Sequence, residues 1–405
     1  MNGKVVTFLL VCLLILPGCW DLTEIEEIGF VLGVALDPMD DEEVKAKYIK
    51  ETGRPLPKGM FQMTNHVVIP GQIGGGGEEG SGTTKEGPFF NIRSIGLTAF
   101  KSNRNFAARR SRAMNYEHLK VLIINEELAR EGIIGNLIDF FIRDHEMRRD
   151  TLVLISKGEG YDILNQKLPL EIMPAISIEM ITDNAPRGHS IPPPKPIGEL
   201  MNNVISTQSY IIPRIDKSEG DGFKVAGAAV FLGKGNKMVG WLGEYDVQGL
   251  SWISAEAENE IVEAFYGPEQ IPFVYETDAA DLEINYNHQD GKDIFDVTIK
   301  TEGFFVENWI KGIKLDSQET VLELEDAVAK EIERQAKKVI EKMQTEFYTD
   351  IFQFHEQVKI NNFSYWEEVK DHWDGKGGAF SKAEINVEAR VKIRHQMTIE
   401  QLEEE

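Results

Sequence analysis

Two cysteines, eight histidines and 67 acidic residues are the groups in this 405-residue chain most able to do chemistry. Cys19 stands where the apolar run LLILPG meets the acidic stretch WDLTEIEE. A thiol there could close a disulfide, ligate a metal, lie inside a membrane span or carry a covalent attachment. The other cysteine, Cys12, lies within the apolar run and belongs to the leader. Cys19 therefore has no partner for an internal disulfide, and the common cysteine-rich zinc sites are ruled out with it. The histidines are scattered. His118 opens an expected strand, His145 and His372 stand among charges, and His355 ends a helical stripe. Each reads as a surface or core residue rather than a ligand. Carboxylates are too numerous for any pair to identify the acid and base of a glycosidase. The sequence contains no HExxH, GxSxG or Walker pattern, so no catalytic residue, cofactor site or metal site is assigned. The glycine-rich stretch GQIGGGGEEGSGT, residues 71–83, lacks a following Gly-Lys-Ser/Thr and is read as a loop between strands.

The apolar run is too short to cross a membrane. Only Val5 to Leu16 lie between Lys4 and Pro17, whereas the hydrocarbon core takes about 20 apolar residues. One basic residue ahead of such a run and a small residue after it fit a secretory signal, so residues 1–18 are set aside from the fold. Leu16-Pro17-Gly18-Cys19 then resembles a lipobox, with Pro17 in place of the usual Ala or Ser. That resemblance implies cleavage ahead of Cys19, a thioether-linked diacylglycerol on its sulfur, and usually a third chain such as palmitate on the new amino terminus. Each buried methylene is worth about 0.8 kcal/mol, and two chains hold where one slips off. Lipidation of Cys19 is preferred here to a buried, inert thiol.

A composition of 42% hydrophobic and 27% charged residues is that of a globular protein with a substantial core. The net charge of −24 becomes −25 once Lys4 leaves. So acidic a body is repelled by nucleic acid and by anionic headgroups, which excludes a nucleic-acid partner and leaves attachment to the lipid. The segment KSNRNFAARRSR, residues 101–112, is the local exception, with five Lys or Arg and no acid. It could face headgroups or an acidic partner. A solvated helix face is the favoured reading.

The elements expected to carry these residues begin with IGFVLGVALD, residues 28–37, a short buried strand. An irregular charged stretch follows to about residue 60, then a strand in FQMTNHVVIPG. From residue 91 helix and strand alternate: a helix over 95–112, a strand over 118–125, a helix over 126–144, a strand over 151–156 and a helix from Gly160. The proline-rich APRGHSIPPPKP, residues 185–196, marks a boundary. Beyond it come a short helix in GELMNNVIS and a hairpin over 223–243 turning at Gly233-Lys234-Gly235-Asn236. The strands DLEINYN and DIFDVTIKTEGFF follow. Asp316 and Glu319 form a capping box. From Val321 to Phe354 apolar residues recur every three or four positions, which predicts one long helix over about 317–355. Trp366, Val369 and Trp373 mark a second helix, and Ile385, Val387, Ala389, Val391 and Ile393 alternate in a last strand. The expectation is an α+β, multi-domain lipoprotein. It comprises a mixed α/β domain over 19–195, a middle domain over 196–268, and a C-terminal domain over 269–405 with an antiparallel-rich sheet packed by the long helix.

In this order the segments resemble the Ger(x)C family, the lipoprotein C subunit of spore nutrient germinant receptors. The resemblance is carried by Cys19-Trp20-Asp21 with Glu24-Ile25, by the strand ending in Asp37, and by HLKVLIINEELAREGI. It continues in FFIRDHEMRRDTLVLISKGEGYDIL, AGAAVFLGKGNKMVGWL, DIFQFHEQV, the Trp366 and Trp373 pair and the last strand. It covers essentially the whole mature length. Where the family shows Asp-x-Phe-Gly-Phe-Gly, this chain has Asp350-Ile351-Phe352-Gln353-Phe354-His355, which suggests that the helix continues where relatives turn. The resemblance implies three α+β domains and no enzymatic activity. It also implies action with two membrane-embedded partners, the A and B subunits, at the spore inner membrane in response to nutrient germinants. The competing class is a lipid-anchored solute-binding protein of a transporter, which would fold as two similar lobes around a cleft.

Overall fold

The computed structural model describes residues 28–56, 59–69, 88–185, 190–218, 220, 222–254, 256–310, 313 and 317–394. β1 (Ile28–Pro38) lies near the middle of the first sheet, with Val31, Val34, Ala35 and Leu36 fully buried. It pairs antiparallel with β2 (Phe61–Val68), which pairs antiparallel with β3 (Phe89–Gly96). Its opposite side pairs parallel with β5 (Val121–Asn125), which pairs parallel with β6 (Leu152–Ser156). Every residue of β5 and β6 is buried, the pattern of parallel strands covered on both faces. β6 then pairs parallel with β7 (Tyr210–Ser218), and β8 (Gly222–Leu232) and β9 (Lys237–Leu242) complete the sheet antiparallel. One sheet therefore runs across the proline-rich segment. A short β4 (Ala113–Asn115) lies parallel to the start of β1.

Three local readings are revised. The stretch expected to be irregular holds a helix, Glu42–Thr52, capped by Asp41, whose side chain accepts from the amides of Glu43 and Val44. None of its residues is buried, so it has no apolar period to betray it. The expected helix over 95–112 is confined to Ala99–Ala107, between β3 and β4. Residues 126–144 form two helices, Glu126–Arg130 and Ile134–Arg143, because Gly132 between them adopts φ 76°.

The second sheet is β10 (Ile261–Tyr266), β11 (Ile271–Gln289), β12 (Lys292–Asn308) and β13 (Glu384–Arg394) in that spatial order. β10 to β12 are antiparallel, and β13 joins β12 in parallel from Ile294↔Glu384 to Phe304↔Arg394. Phe295, Val297 and Ile299 face the core while alternate residues face away, as their period of two requires. The long helix Gln318–Lys342 lies on this sheet through Leu324, Val328, Ile332, Ala336 and Val339. Ser317 is its N-cap and makes no side-chain capping bond; Asp316 lies outside the described residues. Glu333 and Glu325 of this helix accept from the backbone amides of Ala389 and Ile393, at 3.2 and 2.9 Å, which satisfies outward N–H groups on the sheet's edge strand. Its other side meets the helix Glu244–Ser254. There a Cβ on Gly249 would stand 2.4 Å from the Gln335 carbonyl, so only glycine permits the approach.

The long helix does not continue to 355. It ends at Lys342, passes through a π-turn at Met343–Phe347, and breaks at Tyr348 with φ 54°. A second left-handed residue, Gln353 with φ 62°, opens the helix Phe354–Asn361. The chain turns although both family glycines are missing. Side-chain hydrogen bonds to the loop backbone accompany that turn.

Candidate functional site

Cys19, the residue singled out by sequence, lies outside the described residues. Within them the densest set of polar groups surrounds Asp350, whose side chain has no exposure to solvent. Its Oδ1 accepts from the amides of Phe352 and Phe354, each at 3.2 Å. Its Oδ2 accepts from the His355 amide at 3.0 Å and from Trp373 Nε1 at 2.8 Å, and lies 3.2 Å from His355 Nδ1. Residues 350–355 thus wrap one carboxylate. Several N–H groups on a single acceptor satisfy the backbone that a helix would otherwise have satisfied.

A second buried acid extends the cluster towards the first sheet. Asp374 accepts from the Asp350 amide at 2.7 Å through Oδ1 and from Ser209 Oγ at 2.7 Å through Oδ2. Ser209 Oγ in turn accepts from the Gly233 amide at 3.0 Å. Gln208 Nε2 donates to Glu356 Oε1 at 3.2 Å and lies 3.3 Å from His355 Nε2. Gln208 and Ser209 precede β7, and Gly233 follows β8, so these bonds fasten one end of the first sheet to the loop and helix of the second. Burial, with the charge of Asp350 beside it, pushes the Asp374 carboxyl up to about 6. His355 is pulled down by burial, but Asp350, Glu356 and Asp374 outweigh that and hold its pKa above the ordinary value.

The two tryptophans expected to mark a second helix divide the work. Trp373 is buried, donates to Asp350 and meets Phe295 edge-on at 6.5 Å. Trp366 is half-buried on the helix Phe363–Val369, tilted against His355 at 5.5 Å and edge-on to Trp373 at 5.8 Å. Trp373 lies beyond that helix, so the pair shares one cluster rather than one helical face.

Other buried polar groups lie outside this cluster. Asp37 accepts from the amides of Gly160 and Tyr161 at 2.6 and 3.1 Å, and burial raises its carboxyl to about 6. His66 is buried against Asn91 Oδ1 at 2.9 Å, and burial lowers its pKa to about 4. A cavity of about 530 Å³ between residues 182–194 and 247–260 is lined by Glu260, whose carboxyl burial raises to about 7. Ser251 Oγ donates to that carboxylate at 2.9 Å, and among the described residues no histidine or lysine lines the cavity. Among the described residues no group of three or more His, Cys, Asp or Glu is placed to hold a metal ion. Among them, too, no helix is long and apolar enough to cross a membrane. Sequence reasoning missed the Asp350 cluster; the one available signal was the two family glycines replaced beside a retained aspartate.

Fold and cluster together define a two-sheet α+β protein in which buried polar groups around Asp350 and Asp374 join the two sheets. Residues 21–217 match the family model described as the spore germination protein N-terminal domain, and residues 226–397 match spore germination B3/GerAC like, C-terminal. The chain is 32% identical over 407 residues to spore germination protein YndF of Bacillus subtilis, across 98% of each chain. It is 26% identical over 383 residues to spore germination protein B3 of the same organism, across 94% of each. Among solved structures it resembles the crystal structure of the GerBC protein, with TM-score 0.58 and 22% identity over 82% of this chain and 93% of that one, a likeness of fold. The chain belongs to the Ger(x)C family of spore germination proteins.

Proposed function

We propose that the protein is a non-enzymatic, lipid-anchored subunit of a spore germinant receptor. It is tethered through Cys19 to the extracytoplasmic face of the spore inner membrane and works with A and B membrane subunits in the response to nutrient germinants. The observation that carries this reading is the full-length similarity to spore germination proteins, in a chain whose Leu16-Pro17-Gly18-Cys19 resembles a lipobox. The Asp37 and Asp350 carboxylates support it, since backbone amides occupy them. The two sheets differ in strand number and order, which favours this reading over a solute-binding protein of two similar lobes.

The test is Cys19→Ala followed by membrane fractionation in a strain lacking the A and B subunits. We expect the variant to leave the membrane fraction and the wild-type mass to include diacylglycerol. A variant that still sediments with membranes, at a mass unchanged apart from the substitution, overturns the anchor. Nutrient-triggered germination that proceeds normally in a strain deleted for this chain and its close relatives overturns the receptor role.

A further inference from the structure

The basic segment 101–112 leads into a strand that pairs with Ile28–Phe30, the first described residues after Cys19. β4 begins at Ala113, one residue after Arg112, and its three residues pair with Ile28–Phe30 at the start of β1. Only eight residues lie between Cys19 and Ile28, a reach of about 30 Å when fully extended. Lys101, Arg104, Arg109, Arg110 and Arg112 are all exposed. The helix Ala99–Ala107 buries Ala99, Ser102 and Phe106, so Phe100, Lys101 and Arg104 fall on its outer side. Phe100 is 54% exposed and Leu97, just before the helix, 42%. The guanidinium groups lie against rings and backbone: Arg104 is 5.0 Å from the Phe100 ring centre, Arg110 is 5.3 Å from that of Phe90, and Arg109 donates to the Arg93 carbonyl. Among the described residues none of the five pairs with a carboxylate. The first acid after Arg112 is Glu117, and Asp139, which lines one cavity with Leu97 and Phe100, is paired with Arg143.

We propose that this face, Leu97 to Arg112, is a docking surface for anionic lipid headgroups that sets the orientation of the tethered body on its membrane. The proposal rests on the Cys19 reading for the tether. Exposed cations with apolar side chains among them are the composition of a membrane-surface contact, and each basic side chain near an anionic surface strengthens binding by about fivefold. The rest of the molecule carries a large negative charge and is repelled by the same surface. Attraction at one face and repulsion elsewhere turn the molecule rather than hold it, which leaves the holding to lipid.

The experiment uses the mature chain coupled through Cys19 to a maleimide phospholipid, so that it does not depend on lipidation in the cell. Arginine labelling with a dicarbonyl reagent, read by mass spectrometry, is compared on phosphatidylcholine vesicles and on vesicles with about 30% phosphatidylglycerol. We expect Arg104, Arg110 and Arg112 to label about tenfold more slowly on the anionic vesicles, with protection lost in about 0.5 M salt. Arg390, exposed on β13, should label alike on both. In Lys101→Gln/Arg104→Gln the protection of Arg110 and Arg112 should fall, and in Arg110→Gln/Arg112→Gln that of Arg104 should fall. Equal labelling on the two kinds of vesicle, equal protection of Arg390, or protection that survives both double substitutions overturns the docking surface. The Cys19→Ala fractionation fails or succeeds independently of all three.

Discussion

Exchanging Asp350 for Asn alters one atom of a side chain that water does not reach, and every lone pair used there faces an N–H donor. The amide can place its NH₂ where Oδ1 stands, opposite the amides of Phe352 and Phe354, or where Oδ2 stands, opposite the His355 amide, Trp373 Nε1 and His355 Nδ1. The less harmful orientation leaves two buried donors facing a donor. Each unsatisfied buried donor costs about 1–3 kcal/mol, so Asp350→Asn should lose about 3–5 kcal/mol, in line with the cost of breaking a buried charged pair. Urea denaturation followed by tryptophan fluorescence measures it as a lower midpoint at unchanged slope. Trp373→Phe removes one donor, leaves the carboxylate intact, and should cost less, about 1–2 kcal/mol. If Asp350→Asn lies within about 0.5 kcal/mol of wild type, the carboxylate is not what shapes residues 350–355, and the account of the turn fails.

Trp373→Ala should destabilise by about 3–5 kcal/mol, since it empties a buried aromatic site; unchanged urea stability with lost germination would make the tryptophan a partner contact instead. Gln353→Gly should be neutral or gain up to about 1 kcal/mol, because glycine relieves a left-handed conformation and repays part of that in unfolded-state entropy. A loss on that substitution would mean that the exposed Gln353 side chain stabilises the loop. Acidification from about pH 7.5 to 5.5 should raise thermal stability. Asp37 and Asp374 at about 6 and Glu260 at about 7 bind protons more readily folded than unfolded, so their contribution is complete below the ordinary carboxyl range and is lost as pH rises through these values. His355, also raised, acts in the same direction, contributing below the ordinary imidazole value and losing that as pH rises through its folded pKa. His66, lowered to about 4, acts oppositely, its contribution being lost as pH falls from the ordinary imidazole value through 4. A melting temperature that falls over that interval would show His66 dominating, and Glu260→Gln should flatten the rise.

Burial decided what could be read from the residues alone. β1, β5, β6 and the last strand were legible because their side chains alternate or are uniformly apolar, and the long helix because its buried stripe repeats at helical period. The family resemblance was equally legible, since it rests on ordered motifs over the whole mature length. The helix Glu42–Thr52 was not, because it buries nothing and offers only a capping Asp41 and a left-handed Gly53 as signals. The end of the long helix was misread for a different reason. Apolar residues continue at helical spacing through Ile351 and Phe354, and local propensity with no glycine present favours continuation. What stops the helix is a set of bonds to Asp350 from Trp373 and His355, and to Asp374 from Ser209, that link residues up to 165 positions apart. The continuity of one sheet across the proline-rich segment is of the same kind, for it is made where β6 pairs with β7. Side-chain pattern specifies which faces must be buried, whereas the partners of a buried carboxylate or an open strand edge are chosen only when distant segments meet.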